Sequence, residues 1–188
     1  MLSHLHQRFE RLQSSRVELC DRLNEYSSEQ LQFRPAPHAW SCAEIVHHLI
    51  LAESFSAAYL EKKLDKFSTL QKVSLSAGLR STIMTWALRS PLKFKAPSPH
   101  VLPTPDLALP DLRAQWEALR DKLQTLLERV TPEMLRLPLY RHPLAGLLTV
   151  AQMLTFLQEH FDHHEQQIER IMKLATFQQE NAAAVAQS

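Results

Sequence analysis

Glycine is scarce in this chain: two of its 188 residues are glycine, Gly78 and Gly146. Tight turns and β-hairpins need glycine wherever the backbone adopts a positive φ angle, so this scarcity argues against a fold built from hairpins. The eleven prolines lie mostly between segments of helical periodicity, where they end one helix or begin the next. The composition therefore predicts long helices joined by proline-marked connections.

Cysteines, net charge and long apolar runs are equally sparse. Cys20 and Cys42 are too few for a disulfide framework, and neither belongs to a CxxC pair. A formal charge of +1 gives the whole protein no attraction to nucleic acid. No apolar run approaches the roughly 20 residues that cross a bilayer, and the first residues lack the basic and apolar regions of a signal peptide. We therefore expect a cytoplasmic protein with neither nucleic acid nor membrane as a partner.

Apolar residues recur at helical spacing in four long segments. These segments predict helices over about 3–26, 41–66, 110–130 and 149–174. On the first helix Val17 is expected on the apolar face and Arg16 outside it, and Phe55 is expected on the apolar face of the second. Together the helices predict one all-α domain, a four-helix bundle over residues 1–176, with a frayed tail at 177–188.

Two capping boxes mark the starts of the second and fourth helices. In each, a hydroxyl at the cap is followed three residues later by a carboxylate or amide, and the pair satisfies two free backbone N–H groups. The pairs are Ser41 with Glu44 and Thr149 with Gln152. Trp40 precedes the first pair, where it is placed to pack against an apolar residue one turn into the helix.

The connection between the second and third long helices is the least regular part of the chain. A helix is expected over about 74–88, followed by a proline-rich crossover over 91–110 that excludes continuous helix. Between Lys62 and Lys95, eight Lys or Arg residues stand against one acid, Asp65. Three interpretations are open for this basic stretch: a solvated crossover, a lid or anion-binding flank beside a site, and a membrane-surface segment.

Histidines interrupt the apolar face of the fourth helix. His160 and His164 are four residues apart and so point the same way, with Gln167 next on that face. His48 lies on the apolar face of the second helix, whereas His47 is rotated by about 100° toward its edge. Two helices therefore turn three imidazoles toward the core.

Three neutral imidazole nitrogens suit Zn²⁺, Ni²⁺ or Fe²⁺ and leave positions open for water or substrate. The alternative is that they are core histidines with ordinary hydrogen-bond partners, because many helices carry an HxxxH spacing by chance. Gln167 either orients a ligand or contacts substrate, or it is a polar residue at the core edge. His163 is expected beside the site or in solvent, and His142 is expected in a loop and not as a ligand. Cys42 lies at a helix N-terminus, where the helix dipole favours the thiolate form of its side chain. We nevertheless expect Cys42 to be a small residue of the capping region with no chemical role.

Four stretches of the chain carry a family likeness and together span about residues 40–171: Trp40 to Leu49, Lys93 to Pro97, His142 to Gly146, and His160 to Ile168. The patterns Trp-Ser…Glu…His-Leu and His-x-x-His-His-x-x-Gln-Ile are weak singly and more specific together. With them the chain resembles the DinB-like superfamily, metal-binding four-helix bundles that include bacillithiol S-transferase-like proteins. The resemblance implies an up-down-down-up bundle, often dimeric, with a divalent metal held by His48, His160 and His164.

Three functions are compatible with this resemblance. The first is a metal-dependent thiol S-transferase that joins a low-molecular-weight thiol to a small electrophile, with Lys93, Lys95 or Arg141 holding carboxylates of the thiol. The second is a metal-dependent hydrolase, for which Glu44 or Glu53 is a general base only if their helix is rotated from the predicted face. The third is a non-enzymatic metal-binding or dimerisation bundle of the stress-response kind. We expect the first, acting on a small molecule as a homodimer.

Overall fold

Four long helices account for most of the described residues. The computed structural model describes residues 1–67, 101–142 and 145–186, with side chains as far as residue 174. In chain order the helices are α1 (Ser3–Leu23), the short α2 (Ser28–Gln32), α3 (Cys42–Asp65), α4 (Leu109–Glu128) and α5 (Val150–Ala186), with a 3-10 turn at Pro132–Arg136 before the last. The all-α four-helix bundle predicted from the sequence is confirmed.

Side-chain contacts show that α1 and α5 run parallel. Near the start of both helices Arg8 donates a hydrogen bond of 2.7 Å to the hydroxyl of Thr155. Further along both helices, the guanidinium of Arg22 forms an ion pair with the carboxylate of Glu165. Because the later residue of α1 contacts the later residue of α5, the two helices run in the same direction.

The helices α3 and α4 are parallel as well, because Glu53 contacts Trp116 and, more than three turns later along both helices, Asp65 contacts Arg129. The first half of α1 shares a core cluster with the second half of α3, and the second half of α1 shares another cluster with the first half of α3. Helix α1 is therefore antiparallel to α3. The four long helices run up, down, down and up.

Both predicted capping boxes are present. The Ser41 hydroxyl accepts the Glu44 N–H at 3.2 Å, and the Glu44 carboxylate accepts the Ser41 N–H at 2.9 Å. At the start of α5 the Thr149 hydroxyl accepts the Gln152 N–H at 3.3 Å, and the Gln152 amide oxygen accepts the Thr149 N–H at 2.9 Å. These caps fix where the two histidine-bearing helices begin, and hence which of their residues face inward.

The core has two clusters of buried apolar side chains. One is leucine-rich and lies between the start of α1, the end of α3 and the start of α5. The second includes Ile45, Leu49, Trp116 and Phe161. Full burial of an apolar side chain of this size stabilises the fold by about 1.5–3 kcal/mol. The second cluster surrounds the histidine-bearing turns of α3 and α5, so the histidines belong to a packed region of the bundle.

A short antiparallel hairpin precedes α5, so the prediction of a plain loop in a protein without hairpins is wrong here. Strand β1 (Tyr140–His142) pairs with β2 (Gly146–Leu148), with His142 opposite Gly146. The Nδ1 atom of His142 accepts a hydrogen bond of 3.0 Å from the Ala145 N–H, and Gly146 has a φ of 77°. One of the two glycines thus supplies the positive φ that this turn requires.

Two helix faces differ from the prediction. Val17 is 37% exposed and Phe55 is 45% exposed, whereas Arg16 is buried. Arg16 lies four residues from a core position on either side, so helical geometry turns its side chain inward. On α3 the buried face runs through Glu53 and Ser56 instead of Phe55. Glu53 occupies a core position because it receives two hydrogen bonds from α4.

Helix α5 extends beyond the segment predicted from the apolar pattern. It continues to Ala186, so the backbone over 177–186 is helical where a frayed tail was expected. The expected helix over 74–88, and the crossover as far as residue 100, lie outside the described residues. In the part of the chain that the structure describes, no helix has the combined length and apolarity needed to cross a membrane.

Candidate metal centre

Three imidazoles from two helices meet inside the bundle. His160 and His164 stand on successive turns of α5, and His48 faces them from α3. The ring centroid of His48 lies 5.1 Å from that of His160 and 4.8 Å from that of His164, and the last two are 4.7 Å apart. One nitrogen from each ring lies within 4.8 Å of the other two. The structure thus brings together the three histidines that the sequence singles out.

One pair of nitrogens in the group has the spacing of two ligands on a single transition metal. The Nε2 atoms of His48 and His160 are 3.3 Å apart. Two nitrogens bound to one zinc ion at about 2.0–2.1 Å, with a tetrahedral angle between them, are also about 3.3 Å apart. Among the described residues, His48, His160 and His164 are the group able to hold a metal ion. A set of imidazole nitrogens suits zinc, nickel or iron better than calcium or magnesium.

The backbone of a distant segment orients His48. Its Nδ1 atom lies 2.6 Å from the carbonyl oxygen of Val101. A carbonyl oxygen can only accept, so His48 carries its proton on Nδ1 and presents the lone pair of Nε2 toward His160. A partner on the far nitrogen fixes the ring of a metal-binding histidine and raises its basicity. No sequence signal reveals this partner, because every residue has a backbone carbonyl.

Gln167 orients His164 in the same way. The Oε1 atom of Gln167 lies 3.1 Å from Nδ1 of His164, one turn earlier on α5. The amide oxygen accepts, so His164 donates from Nδ1 and keeps Nε2 for a metal. This contact supports the ligand-orienting interpretation of Gln167. Contact between Gln167 and substrate stays a prediction.

Two half-buried aromatic rings flank the histidines. The ring of Trp40 lies 4.8 Å from that of His48 and 6.4 Å from that of His164. Phe156 stacks on His160 with ring centroids 5.6 Å apart. Trp40 also packs against the second core cluster, as expected for the residue before a capping box. An apolar shell of this kind limits solvent access and lowers the local dielectric constant.

Burial keeps the three imidazoles neutral. Loss of solvent lowers the pKa of His48, lowers that of His164 to about 3, and lowers that of His160 well below its usual value. In His160 and His164 the neighbouring imidazoles lower the pKa further. Metal binding needs unprotonated nitrogens. These three are unprotonated at neutral pH without any change in the protein.

His142, which was expected in a loop and not as a metal ligand, is a buried neighbour of the centre and lies outside the group of three. Its ring lies 4.3 Å from that of Phe156, and the ring of Phe156 stacks on that of His160. Because Nδ1 of His142 accepts the Ala145 N–H, the neutral ring carries its proton on Nε2. Its signal in the sequence was weak: it opens one of the four stretches that carry the family likeness.

His142 predicts a loss of stability in acid that needs no metal. Burial lowers its pKa in the folded protein to about 4, below the ordinary value near 6.5, so the unfolded chain binds more protons as the pH falls through this window. The folded protein therefore pays no cost for the neutral His142 above about pH 6.5, and it loses stability as the pH falls from about 6.5 toward 4. From this group alone, the free energy of unfolding of the metal-free protein should fall by about 2 kcal/mol from pH 7 to pH 5, as measured by urea denaturation.

A matched variant isolates this effect. His142→Asn keeps an acceptor for the Ala145 N–H but does not titrate, so its stability should depend less on pH by the same amount. An identical pH dependence in the wild type and in His142→Asn would contradict the burial of His142.

Other residues considered from the sequence have different positions. Glu44 is part of the capping box, and Glu53 receives hydrogen bonds from α4. Cys42 is a small buried residue in the first turn of α3, and burial raises the pKa of its thiol to about 12. His163 is half-buried with its ring 5.1 Å from that of His164. Arg141 is exposed on β1, and the predicted basic flank around residues 93–95 lies outside the described residues.

A family model described as the DinB superfamily matches residues 11–168. No curated protein and no solved structure matches the chain. The matched range begins in α1 and reaches Ile168 in α5, so it contains all three histidines of the candidate centre.

Proposed function

Because this chain belongs to the DinB superfamily and holds three clustered histidines able to bind a divalent metal, we propose that it is a metal-dependent thiol S-transferase. In this proposal it joins a low-molecular-weight thiol to a small electrophilic molecule. The observation that carries the proposal is the set of three neutral imidazole nitrogens, each within 4.8 Å of the others.

His48, His160 and His164 would hold the metal, each through Nε2. When bound, a divalent metal at three neutral ligands supplies Lewis acidity that favours the ionised form of a thiol at neutral pH. Val101 and Gln167 keep the lone pairs of His48 and His164 directed inward. The chain thereby orients its donors before any ligand arrives, which lowers the cost of assembling the site.

The number of donors favours a site that binds substrate over a purely structural one. Structural zinc sites are closed by four protein ligands, whereas catalytic sites have three and keep a position open. The group in the described residues has three, and His160 keeps part of its surface in solvent. A thiol could therefore approach beside His160. The half-buried ring of Phe156, which stacks on His160, gives that approach an apolar wall, and the half-buried ring of Trp40 covers His48.

The hydrolase alternative is less well supported. Its general base was to come from Glu44 or Glu53 on α3. The Glu44 carboxylate binds the Ser41 N–H and forms an ion pair with Arg34. The Glu53 carboxylate receives hydrogen bonds from two side chains of α4. Use of either as a base would require these contacts to break.

The proposed activity is tested with chlorodinitrobenzene and a panel of thiols: glutathione, cysteine, coenzyme A and bacillithiol. In the expected reaction the sulfur forms a bond to the ring carbon, chloride leaves with the bonding electrons, and the thiol proton passes to solvent. With zinc, nickel or iron restored, one thiol should give saturable conjugation above the uncatalysed rate, followed by absorbance. His164→Ala is the matched control and should give none. Bound metal without conjugation of any thiol in the panel would reject the transferase.

The predicted homodimer belongs to the same proposal. Every residue of the candidate centre comes from one chain, so dimerisation would not be needed to complete the ligand set. Phe55 is 45% exposed on α3 and offers apolar surface for a partner. Sedimentation of the wild type and of Phe55→Ser would test both the dimer and this surface.

A further inference from the structure

Two adjacent histidines of α3 contact one short segment of the chain. His47 and His48 are both buried although they point about 100° apart around the helix. The Nδ1 atom of His48 donates to the carbonyl oxygen of Val101 at 2.6 Å. The Nδ1 atom of His47 accepts a hydrogen bond of 2.9 Å from the backbone N–H of Thr104. Residues 101–104 are thus held by neighbouring rings through bonds of opposite polarity.

The polarity of the two bonds fixes both tautomers. His48 must carry its proton on Nδ1, because a carbonyl cannot donate. His47 must keep Nδ1 unprotonated, because a backbone N–H cannot accept. His47 therefore holds the segment, and the segment holds His48.

The segment is attached to the bundle at more than these two atoms. Val101 is 9% exposed, whereas the next residue, Leu102, is 52% exposed. Pro103 restricts the backbone between the two bonded residues by fixing its φ angle. A short stretch with a proline between its two contacts transmits a displacement at Thr104 to Val101.

We propose that His47 is a positioning residue of the metal centre, which acts on His48 through the backbone of residues 101–104. This inference rests on the proposed metal-binding role of His48. The Thr104 N–H bond to His47 keeps the Val101 carbonyl against the far nitrogen of His48. Loss of such a partner behind a metal ligand lowers metal affinity by about 10- to 100-fold.

The coupling is reciprocal. If docking of residues 101–104 strengthens metal binding, metal binding must stabilise the docked segment by the same factor. The backbone N–H of Thr104 should therefore exchange with deuterated solvent about 10- to 100-fold more slowly in the metal-loaded protein. Thr104 is exposed and supplies no ligand atom to the metal centre. Without the coupling through residues 101–104, metal binding would not slow the exchange of its N–H.

Two substitutions separate positioning from simple packing. His47→Leu fills the buried space but has no acceptor for the Thr104 N–H. His47→Asn places an amide oxygen near the position of Nδ1 and keeps the acceptor. We expect His47→Leu to bind zinc about 10- to 100-fold more weakly than wild type in a competition titration with a chelator, and His47→Asn to recover most of that loss. Thermal melting of the metal-free proteins checks that both variants fold.

Exchange at the Thr104 N–H is the second measurement. In the wild type and in His47→Asn zinc should slow this exchange, and in His47→Leu it should not. Equal zinc affinity of the wild type and His47→Leu would overturn the positioning role and leave the metal centre intact. Equal weakening in His47→Leu and His47→Asn would overturn it too, because packing alone would then explain the loss. Absence of zinc binding by the wild type would reject the metal centre and this role together.

Discussion

Replacing His164 by alanine should lower the affinity for zinc by about 100-fold. Zinc sites with four ligands have binding free energies of roughly 10–16 kcal/mol, so one donor of four contributes on the order of 3 kcal/mol. That energy corresponds to a change of about 100-fold in the dissociation constant. The remaining two donors, His48 and His160, have Nε2 atoms 3.3 Å apart but would be left with two positions to be filled by solvent. Metal content after dialysis, and chelator competition, measure the effect.

The neighbouring histidine is a matched control. His163 lies on the same turn of α5, and its ring is 5.1 Å from that of His164, but it does not belong to the group of three. His163→Ala should therefore change zinc affinity only a few-fold, because His163 supplies no atom to the group. Equal metal content in wild type and His164→Ala would remove these histidines from the proposed function.

The grouping of the three histidines was predictable from the sequence because it depends on helical periodicity. His160 and His164 are four residues apart and must share a face, and His48 follows the apolar repeat of its own helix. The two capping boxes fixed where those helices start, which is why the inward faces of these turns were identified correctly. The order of the helices did not follow from periodicity; it was implied by the family resemblance, and the contacts of α1 with α5 and of α3 with α4 establish it.

The surroundings of the centre were not predictable in the same way. Val101 and Thr104 contribute a carbonyl and an N–H, which every residue other than proline has, and in sequence they are 53 and 57 residues away from the histidines that they contact. The hairpin that brings His142 beside Phe156 has strands of three residues each, too short for an alternating pattern to stand out. Gly146 can be located in the sequence, but the low number of glycines in the whole chain does not indicate whether a particular glycine forms a turn.

Polar residues in the core account for the other differences. A periodicity argument assigns charged residues to solvent, so Arg16 was placed outside α1 and Phe55 inside α3. The structure buries Arg16 and exposes Phe55. On α3 the cause is local: Glu53 binds Trp116 and Arg120 of α4, and the face that contains Glu53 turns inward. Pairing between two helices cannot be read from either helix alone.

That pairing leads to the largest expected effect on stability. Arg120 is 0% exposed and Glu53 is 2% exposed, and their side chains are 2.8 Å apart. Removing one partner of a buried ion pair costs about 3–5 kcal/mol, because the other charge stays buried without compensation. Arg120→Met leaves the Glu53 carboxylate with the Trp116 N–H as its remaining described donor. The free energy of unfolding should fall by that amount, and the melting temperature by about 10 °C.

Two further variants show that burial, and not charge alone, sets the size of this loss. Lys122 and Glu61 form an exposed pair between the same two helices at 2.8 Å. Lys122→Met should therefore cost less than about 1 kcal/mol. Arg120→Met combined with Glu53→Gln should be more stable than Arg120→Met alone, because a neutral amide can still accept the Trp116 N–H without a buried charge.

The same experiment separates structural from catalytic use of Glu53. Glu53 lies five residues after His48 on α3, close enough in sequence to have been considered as a general base. If its carboxylate serves the bundle, the double variant should keep the zinc affinity and the thiol-transfer rate of the wild type while differing in melting temperature. If the double variant instead loses thiol transfer at unchanged zinc affinity, Glu53 takes part in the reaction. An equal loss of stability in Arg120→Met and Lys122→Met would contradict the buried ion pair.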